Sequence, residues 1–222
     1  MRVLHHHELY ASSRIIRLVM AERGIVCLPK SERPWVRNES FLRLNPAGEV
    51  PVLMTEDGKA ICGATVIAEY LEEIEEQTPL IWGSANERAE IRRLTDWFEV
   101  KFTREVGSPL LNERFIKRFV NNGQPSSVII RAAMTNLHIH LDYLDWLTEQ
   151  SNWLAGRQIS LADLAGAAHL SVLDYFGDIH WDRHLETKNW YAKMKSRPSF
   201  RELLADQIPG LPAAAHYGNL DF

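Results

Sequence analysis

The chain has 222 residues, a formal net charge of −4, an apolar fraction of 45% and a charged fraction of 24%, the balance of a globular protein of one large or two small domains. Its mild acidity argues against non-specific binding to DNA or to an anionic membrane. No stretch reaches the about 18 consecutive apolar residues of a membrane-spanning helix, the N-terminus lacks a signal-peptide apolar run, and Cys27 and Cys62 form neither a CxxC nor a disulfide framework; a cytoplasmic location is expected.

The first third alternates strand and helix periods. Arg2 to His7 reads as a strand, and Ser13 to Arg23 as a helix with Ile16, Val19 and Met20 on one side. Ser12 or Ser13 is placed to cap this helix and Gly24 to end it. Ile25 to Leu28 is expected as a second strand, and Trp35 to Leu44 as a second helix opening after Pro34 and stopping at Asn45-Pro46. Glu49 to Met54 and Lys59 to Cys62 are expected strands joined by an Asp57-Gly58 turn. Thr65 to Glu76 completes a β-α-β-α-β-β-α order, that of a thioredoxin-like domain over residues 1–78.

Beyond Thr78-Pro79 only helical periods remain, giving an all-helical domain over 85–206. Glu87 to Val106 carries Ile91, Leu94, Phe98 and Phe102 on one stripe, and Val128 to Glu149 carries Met134, Leu137, Leu141 and Leu144. Ser160 and Asp163 form an N-terminal capping box. The following Leu164 to Phe176 is apolar nearly all round, as a central buried helix should be. Lys188 to Asp206 holds further helix broken at Arg197-Pro198, and residues 207–222 form an aperiodic tail.

Three stretches carry a resemblance. Asn45-Pro46-Ala47-Gly48-Glu49-Val50-Pro51-Val52-Leu53 resembles the NPxGxVPxL signature of glutathione transferases. Ile67-Ala68-Glu69-Tyr70-Leu71-Glu72 is similar to the start of their third helix, and Asn152 to Gly156 with Ser160 to Asp163 to their capped core helix. The resemblance covers about residues 1–206 and implies the transferase fold, a cis Val50-Pro51 peptide and a glutathione site. In that site Val50 and Pro51 would hold the cysteinyl backbone, and Gly63 and Ala64 the γ-glutamyl end.

The sequence departs from the family at both chemical positions. A hydroxyl or thiol at the start of the first helix should stabilise a thiolate, aided by the helix dipole. The resemblance puts Tyr10 in that serine or cysteine slot; tyrosine-type members carry theirs near His6. Tyr10 and Ser12 are the candidate catalytic residues, with capping the plainer role for Ser12. Gly63-Ala64 stands where the family has Glu-Ser or Gln-Ser. Neither side chain can hydrogen-bond, which would weaken glutathione binding by roughly two orders of magnitude. Glutathione is therefore expected to bind weakly or not at all.

A narrower resemblance rests on Ser31-Glu32-Arg33-Pro34-Trp35, on Gly63-Ala64 and on the tail from Ala215 to Phe222. These are similar to a branch of transferase-fold division proteins of alphaproteobacteria that bind filaments of the tubulin-like protein FtsZ. The resemblance implies a filament-facing surface containing Trp35 and Asp221, and a homodimer without nucleic-acid or membrane-inserting partners. Leu220 and Phe222 are expected to pin the tail. The rivals are a glutathione-dependent transferase or isomerase using Tyr10 or Ser12, and a scaffold for another protein.

Other residues have plainer readings. His5, His6 and His7 alternate faces in a strand and lack a carboxylate or cysteine to complete a metal site, so no metal is expected. His138 and His140 point apart on their helix. Cys27 and Cys62 read as structural thiols on opposite sheet edges. Trp97, off the apolar stripe with Lys101 and Glu105, suits either an interface or packing within its own domain.

Overall fold

The computed structural model describes residues 1–74 and 78–220. Four strands form a mixed sheet in the order β2-β1-β3-β4. Strand β1 (Val3–His6) pairs parallel with β2 (Leu28–Ser31) and antiparallel with β3 (Val52–Met54), which pairs antiparallel with β4 (Ala60–Cys62). Helices α1 (Ala11–Glu22), α2 (Glu39–Leu44) and α3 (Ala64–Ile74) complete the thioredoxin-like part, and the Val50–Pro51 peptide is cis, as expected.

Three local expectations are corrected. Strand β2 begins at Leu28 rather than Ile25. Gly24, at φ +65°, lets Ile25 N–H donate back to the Met20 carbonyl at 2.8 Å, so the chain stays in the helix cap before it can pair. The expected helix from Trp35 to Leu44 is split into a 3-10 turn, Pro34–Val36, and α2, because Arg37 turns left-handed at φ 52° and Asn38 caps anew. Ser12 and Ser13 do not cap α1. The N-cap is Tyr10, which makes no side-chain cap bond; Ser13 Oγ accepts from the His7 N–H at 3.2 Å.

The remaining described residues are helical, and no described helix is long and apolar enough to cross a membrane. Helix α4 (Ala85–Asp96) runs without a break through a wider π-helical stretch, Trp97–Gly107, into α5 (Ser108–Leu111) and a second such stretch, Asn112–Val120. The helix was expected to end at Val106, before Gly107-Ser108-Pro109. A proline removes one helical donor, yet the helix continues, and nearby Asn136 Nδ2 donates to the Glu105 carbonyl at 3.2 Å.

Helix α6 (Ser127–Gln150) packs beside this long helix, and α7 (Leu161–Phe176) is buried from Leu161 to Tyr175. The capping box at its start forms as expected. Asp163, wholly buried, also accepts from Leu154 N–H at 2.8 Å and Trp190 Nε1 at 3.0 Å. Helices α8 (Leu185–Lys195) and α9 (Arg201–Leu204) follow.

The sheet part and the helices share one core, in which Ile15, Ile16 and Val19 of α1 join Leu164 and Ala168 of α7. A buried polar hub crosses the same contact. Arg14 has no exposed surface. Its Nε donates to the Glu8 carbonyl at 2.6 Å, and its Nη1 to Ser171 Oγ at 2.8 Å and Tyr217 Oη at 2.9 Å. Its Nη2 lies 3.6 Å from Asp206, which Arg17 grips with two bonds of 2.7 and 2.9 Å.

Removing the carboxylate would leave these cations without their buried counter-charge. Asp206→Ala is expected to lower stability by about 3 kcal/mol, read as a lower urea midpoint at unchanged slope. An unchanged midpoint would show that the hub contributes nothing to folding.

Candidate functional site

A cleft of about 450 Å³ opens between the start of α1, the Val50–Pro51 turn and the β4–α3 corner on one side, and the long helix and α7 on the other. Tyr10, Ser12, Val50, Pro51, Gly63 and Ala64 all line it. The structure thus brings together every residue that the sequence singled out for glutathione chemistry.

Their states differ from what thiolate chemistry asks. Ser12 Oγ donates to the Val50 carbonyl at 3.1 Å. A hydroxyl has one proton to give, and here it is held by the backbone oxygen next to Pro51. Tyr10 is half-buried at the helix N-cap. Burial pushes its phenol above the usual tyrosine range, and the carboxylate of Glu49 adds to the effect. The same negative charge would oppose a thiolate in the cleft.

At the opposite corner Gly63 N–H donates to the Pro51 carbonyl at 3.1 Å and its own carbonyl accepts from Ile67 at 3.0 Å, the first turn of α3. Gly63 has φ +90°, and a Cβ built there meets nothing within 4 Å. A side chain would have room, at a cost in backbone conformation. Ala64 is buried.

Two further cleft residues were not singled out by sequence. Glu99 Oε1 accepts from His169 Nε2 at 3.0 Å, and His169 is 3% exposed. A histidine inside the largely apolar α7 was the available signal. Its partner lies 70 residues away, beyond the reach of local patterning.

The expected filament-facing residues lie elsewhere. Trp35 was expected to be exposed; it is half-buried. Its ring packs edge-on against His7 and Phe115, at centroid distances of 5.1 and 5.4 Å, because the 3-10 turn directs it toward the long helix. Asp221 and Phe222 lie outside the described residues. Leu220 does not pin the tail, since it is 42% exposed. Tyr217 does so instead, fully buried on Arg14 and the Leu203 carbonyl. His216 Nε2 bonds to Asp174 at 2.9 Å.

The remaining candidates have structural partners. His5 Nδ1 meets Glu32 at 2.8 Å, and Leu9 N–H donates to His7 Nδ1 at 3.1 Å. His140 is buried, accepting from Trp97 Nε1 and bonding Glu105, each at 3.0 Å; Trp97 therefore packs within its own chain. His138 Nδ1 meets His184 Nε2 at 3.0 Å. His184 with Asp142 and Asp145 forms a group of metal-ligand type, but Asp145 is engaged by His184 Nδ1 and by the N–H and hydroxyl of Thr187 in the first turn of α8. Burial pushes both the Cys27 and Cys62 thiols up, away from the thiolate form.

Comparison with known proteins places this geometry. The family model of the glutathione S-transferase N-terminal domain matches residues 11–74. FtsZ-localized protein A of Caulobacter vibrioides is 45% identical over 100% of this chain and 98% of its own. The structure of FzlA from C. crescentus superposes with a TM-score of 0.96 at 45% identity, covering 100% of this chain and 99% of that one. A glutathione S-transferase from Rhodospirillum rubrum F11 superposes with a TM-score of 0.98 at 47% identity, with both chains fully covered. The chain belongs to the glutathione S-transferase family, together with FtsZ-localized protein A.

Proposed function

We propose that this protein binds FtsZ filaments in bacterial cell division, as a homodimer in the cytoplasm, with little or no glutathione chemistry. The observation that carries the reading is the 45% identity to FtsZ-localized protein A along the whole chain. The cleft supports its second half. Ser12 already donates its one hydroxyl hydrogen bond to the Val50 carbonyl, Gly63 and Ala64 offer no side-chain bond, and the Glu49 carboxylate would disfavour a thiolate beside it.

A face of α6 supports the dimer. Ile139 and Trp146 are 64% and 54% exposed, seven residues apart, with Tyr143 between them stacked on Trp146 and packed against Trp97. An aromatic, half-wet strip of this kind suits a self-complementary contact. Two identical filament sites in one dimer raise the effective concentration of the second contact.

A glutathione-dependent transferase or isomerase using Tyr10 or Ser12 is the second reading. It is favoured by the open cleft and by the transferase from R. rubrum at 47% identity.

Two measurements separate these readings. In calorimetry, millimolar glutathione should give weak or no binding to the parent protein. Gly63→Glu with Ala64→Ser should raise the affinity, while the strained backbone at position 63 costs about 1–2 kcal/mol of stability. Micromolar binding by the parent would establish the enzymatic reading.

In co-sedimentation, the parent should pellet with FtsZ polymers. Asp221→Lys should abolish this without changing the melting temperature, and the loss should soften as salt screens the repulsion. Trp35→Ala should also lose binding, but its ring is packed on Phe115, so a lower melting temperature is expected with it. A folded Asp221→Lys variant that pellets like the parent would overturn the proposed surface.

A further inference from the structure

The elements that present Trp35 carry a charge opposite to that of the whole chain, whose formal net charge is −4. Residues 30–37 and 112–120, joined by the 5.4 Å ring contact of Trp35 with Phe115, hold six cations and two carboxylates. Both carboxylates are spent within the fold. Glu32 meets His5 Nδ1 at 2.8 Å and Lys30 at 3.7 Å. Glu113, without exposed surface, accepts from Lys117 Nζ at 2.7 Å and from the Ser126 N–H at 2.6 Å. Of the acids beside them, Asp178 takes Arg114, and Glu8 lies 4.0 Å from His7 and accepts from Ser31 Oγ at 3.4 Å.

Three arginines are left over. Arg33, Arg37 and Arg118 are exposed and make no ion pair or side-chain hydrogen bond with any described residue. Arg118 lies over the ring of Phe119, 5.5 Å from its centroid, a cation–π contact that restrains the group but supplies no carboxylate. Arg33 opens the turn that carries Trp35. Burial first, with Arg33 among the neighbouring cations, holds the pKa of His7 down at about 4. The His7 ring, packed on Trp35 and Phe115, is therefore neutral and leaves the charge of this face to the arginines.

The apolar part of the face is continuous. Phe119 is 38% exposed and stacks on Phe115 at 6.0 Å. It also reaches the tail, where a Cβ added at Gly210 would lie 3.8 Å from its ring. Trp35, Phe115 and Phe119 thus form a row of rings from the 3-10 turn to the tail, with an unpaired arginine next in sequence to Phe119 and another two residues before Trp35. Aromatic rings beside arginine are what the centre of a protein interface favours, and a guanidinium takes a carboxylate through two parallel bonds. A nucleic acid or an anionic membrane would meet the acidic remainder of the chain; a short peptide segment meets this patch alone.

We propose that this face takes an acidic peptide segment of its protein partner, with an apolar side chain against Trp35 and Phe119 and flanking carboxylates on Arg33 and Arg118. The proposal rests on the filament reading for the identity of the partner, and on the arginines and rings for the chemistry of the contact. With Asp221 assigned to a cationic group of the filament, a partner carrying both signs docks in one direction only.

Calorimetry at low salt with the capped hexapeptide Asp-Asp-Leu-Phe-Asp-Asp tests it, beside one counterpart with lysine for aspartate and one with glycine for Leu-Phe. The acidic peptide should bind the parent at least about tenfold more tightly than either counterpart, and its affinity should fall as salt rises. Arg33→Glu and Arg118→Glu should each weaken it at least about tenfold, the worth of one charge-assisted bond, and Phe119→Ala should weaken it as well. Arg88→Glu, at the other end of the same long helix, should bind like the parent. Neither Arg33 nor Arg118 has an ion pair to lose, so melting temperatures should stay unchanged. The same variants are then pelleted with FtsZ polymers. A parent that binds the acidic peptide but does not pellet would sink the filament reading and leave this surface chemistry standing. If the parent pellets and folded Arg33→Glu and Arg118→Glu pellet like it, the filament reading stands and this proposal is overturned. It is also overturned if the acidic peptide gives no saturable heat, if the lysine peptide or hexathymidylate binds as well, or if folded Arg118→Glu binds the acidic peptide like the parent.

Discussion

The fold turns on one buried cation. Arg14 sits on α1, yet its hydrogen bonds go to the loop before that helix, to α7 and to the tail. A guanidinium without exposed surface is costly unless acceptors and a counter-charge meet it; Nε and Nη1 find acceptors, and Nη2, which makes no hydrogen bond, faces Asp206 at 3.6 Å. Those acceptors come from parts of the chain as far as 203 residues away. The arrangement therefore specifies how the sheet part, the helices and the tail meet, more sharply than apolar packing would. Ile15, Ile16 and Val19 flank the same contact, so apolar burial supplies adhesion while Arg14 fixes register. Because α1 starts at the cleft, the placement of Tyr10 and Ser12 follows from the same hub.

The cleft shows how a fold can be kept while its chemistry is altered. The backbone devices of the family remain: the cis turn at Val50–Pro51, the helix start behind Tyr10 and the corner at Gly63. The side chains around them have different commitments. Ser12 is tied to Val50, the phenol of Tyr10 is held protonated by burial and by Glu49, and the deeper wall presents Glu99 and His169. Packing constrains the first set, since Val50, Ala64 and the β1–β3 ladder belong to or border the core. The second set lines the cleft and varies in side-chain chemistry while this backbone stays the same.

Much of this was legible in the sequence because it is local. The Asn45 to Leu53 signature and the Ser160–Asp163 box each lie within a short stretch of chain, the largely apolar α7 within one helix, and each forms as read. Much of what was missed depends on partners remote in sequence. Where the helix continues through Pro109, Asn136 from α6 donates to the Glu105 carbonyl. The start of β2 is delayed by a cap bond that competes with strand pairing. Ser12 is drawn from capping by a carbonyl 38 residues on, and the Glu99–His169 pair is assembled across two helices. In the remote cases the local preference was sound and a tertiary hydrogen bond outweighed it; the start of β2 turns instead on the local Ile25–Met20 cap bond.

The same remoteness bears on the proposed filament surface. Trp35 is seated on Phe115 and His7, in a cluster that also holds Leu9, Tyr175 and Tyr217. Tyr217 bonds Arg14 and precedes Asp221 by four residues. Trp35 is thus joined through one small aromatic cluster to the hub that docks the tail. A ring anchored this way loses little conformational freedom when a partner covers its outer face, which reduces the cost of binding. It also means that damage to the hub would reach the surface without touching it. On this geometry the seating of the tail and the seating of Trp35 rest on the same set of contacts.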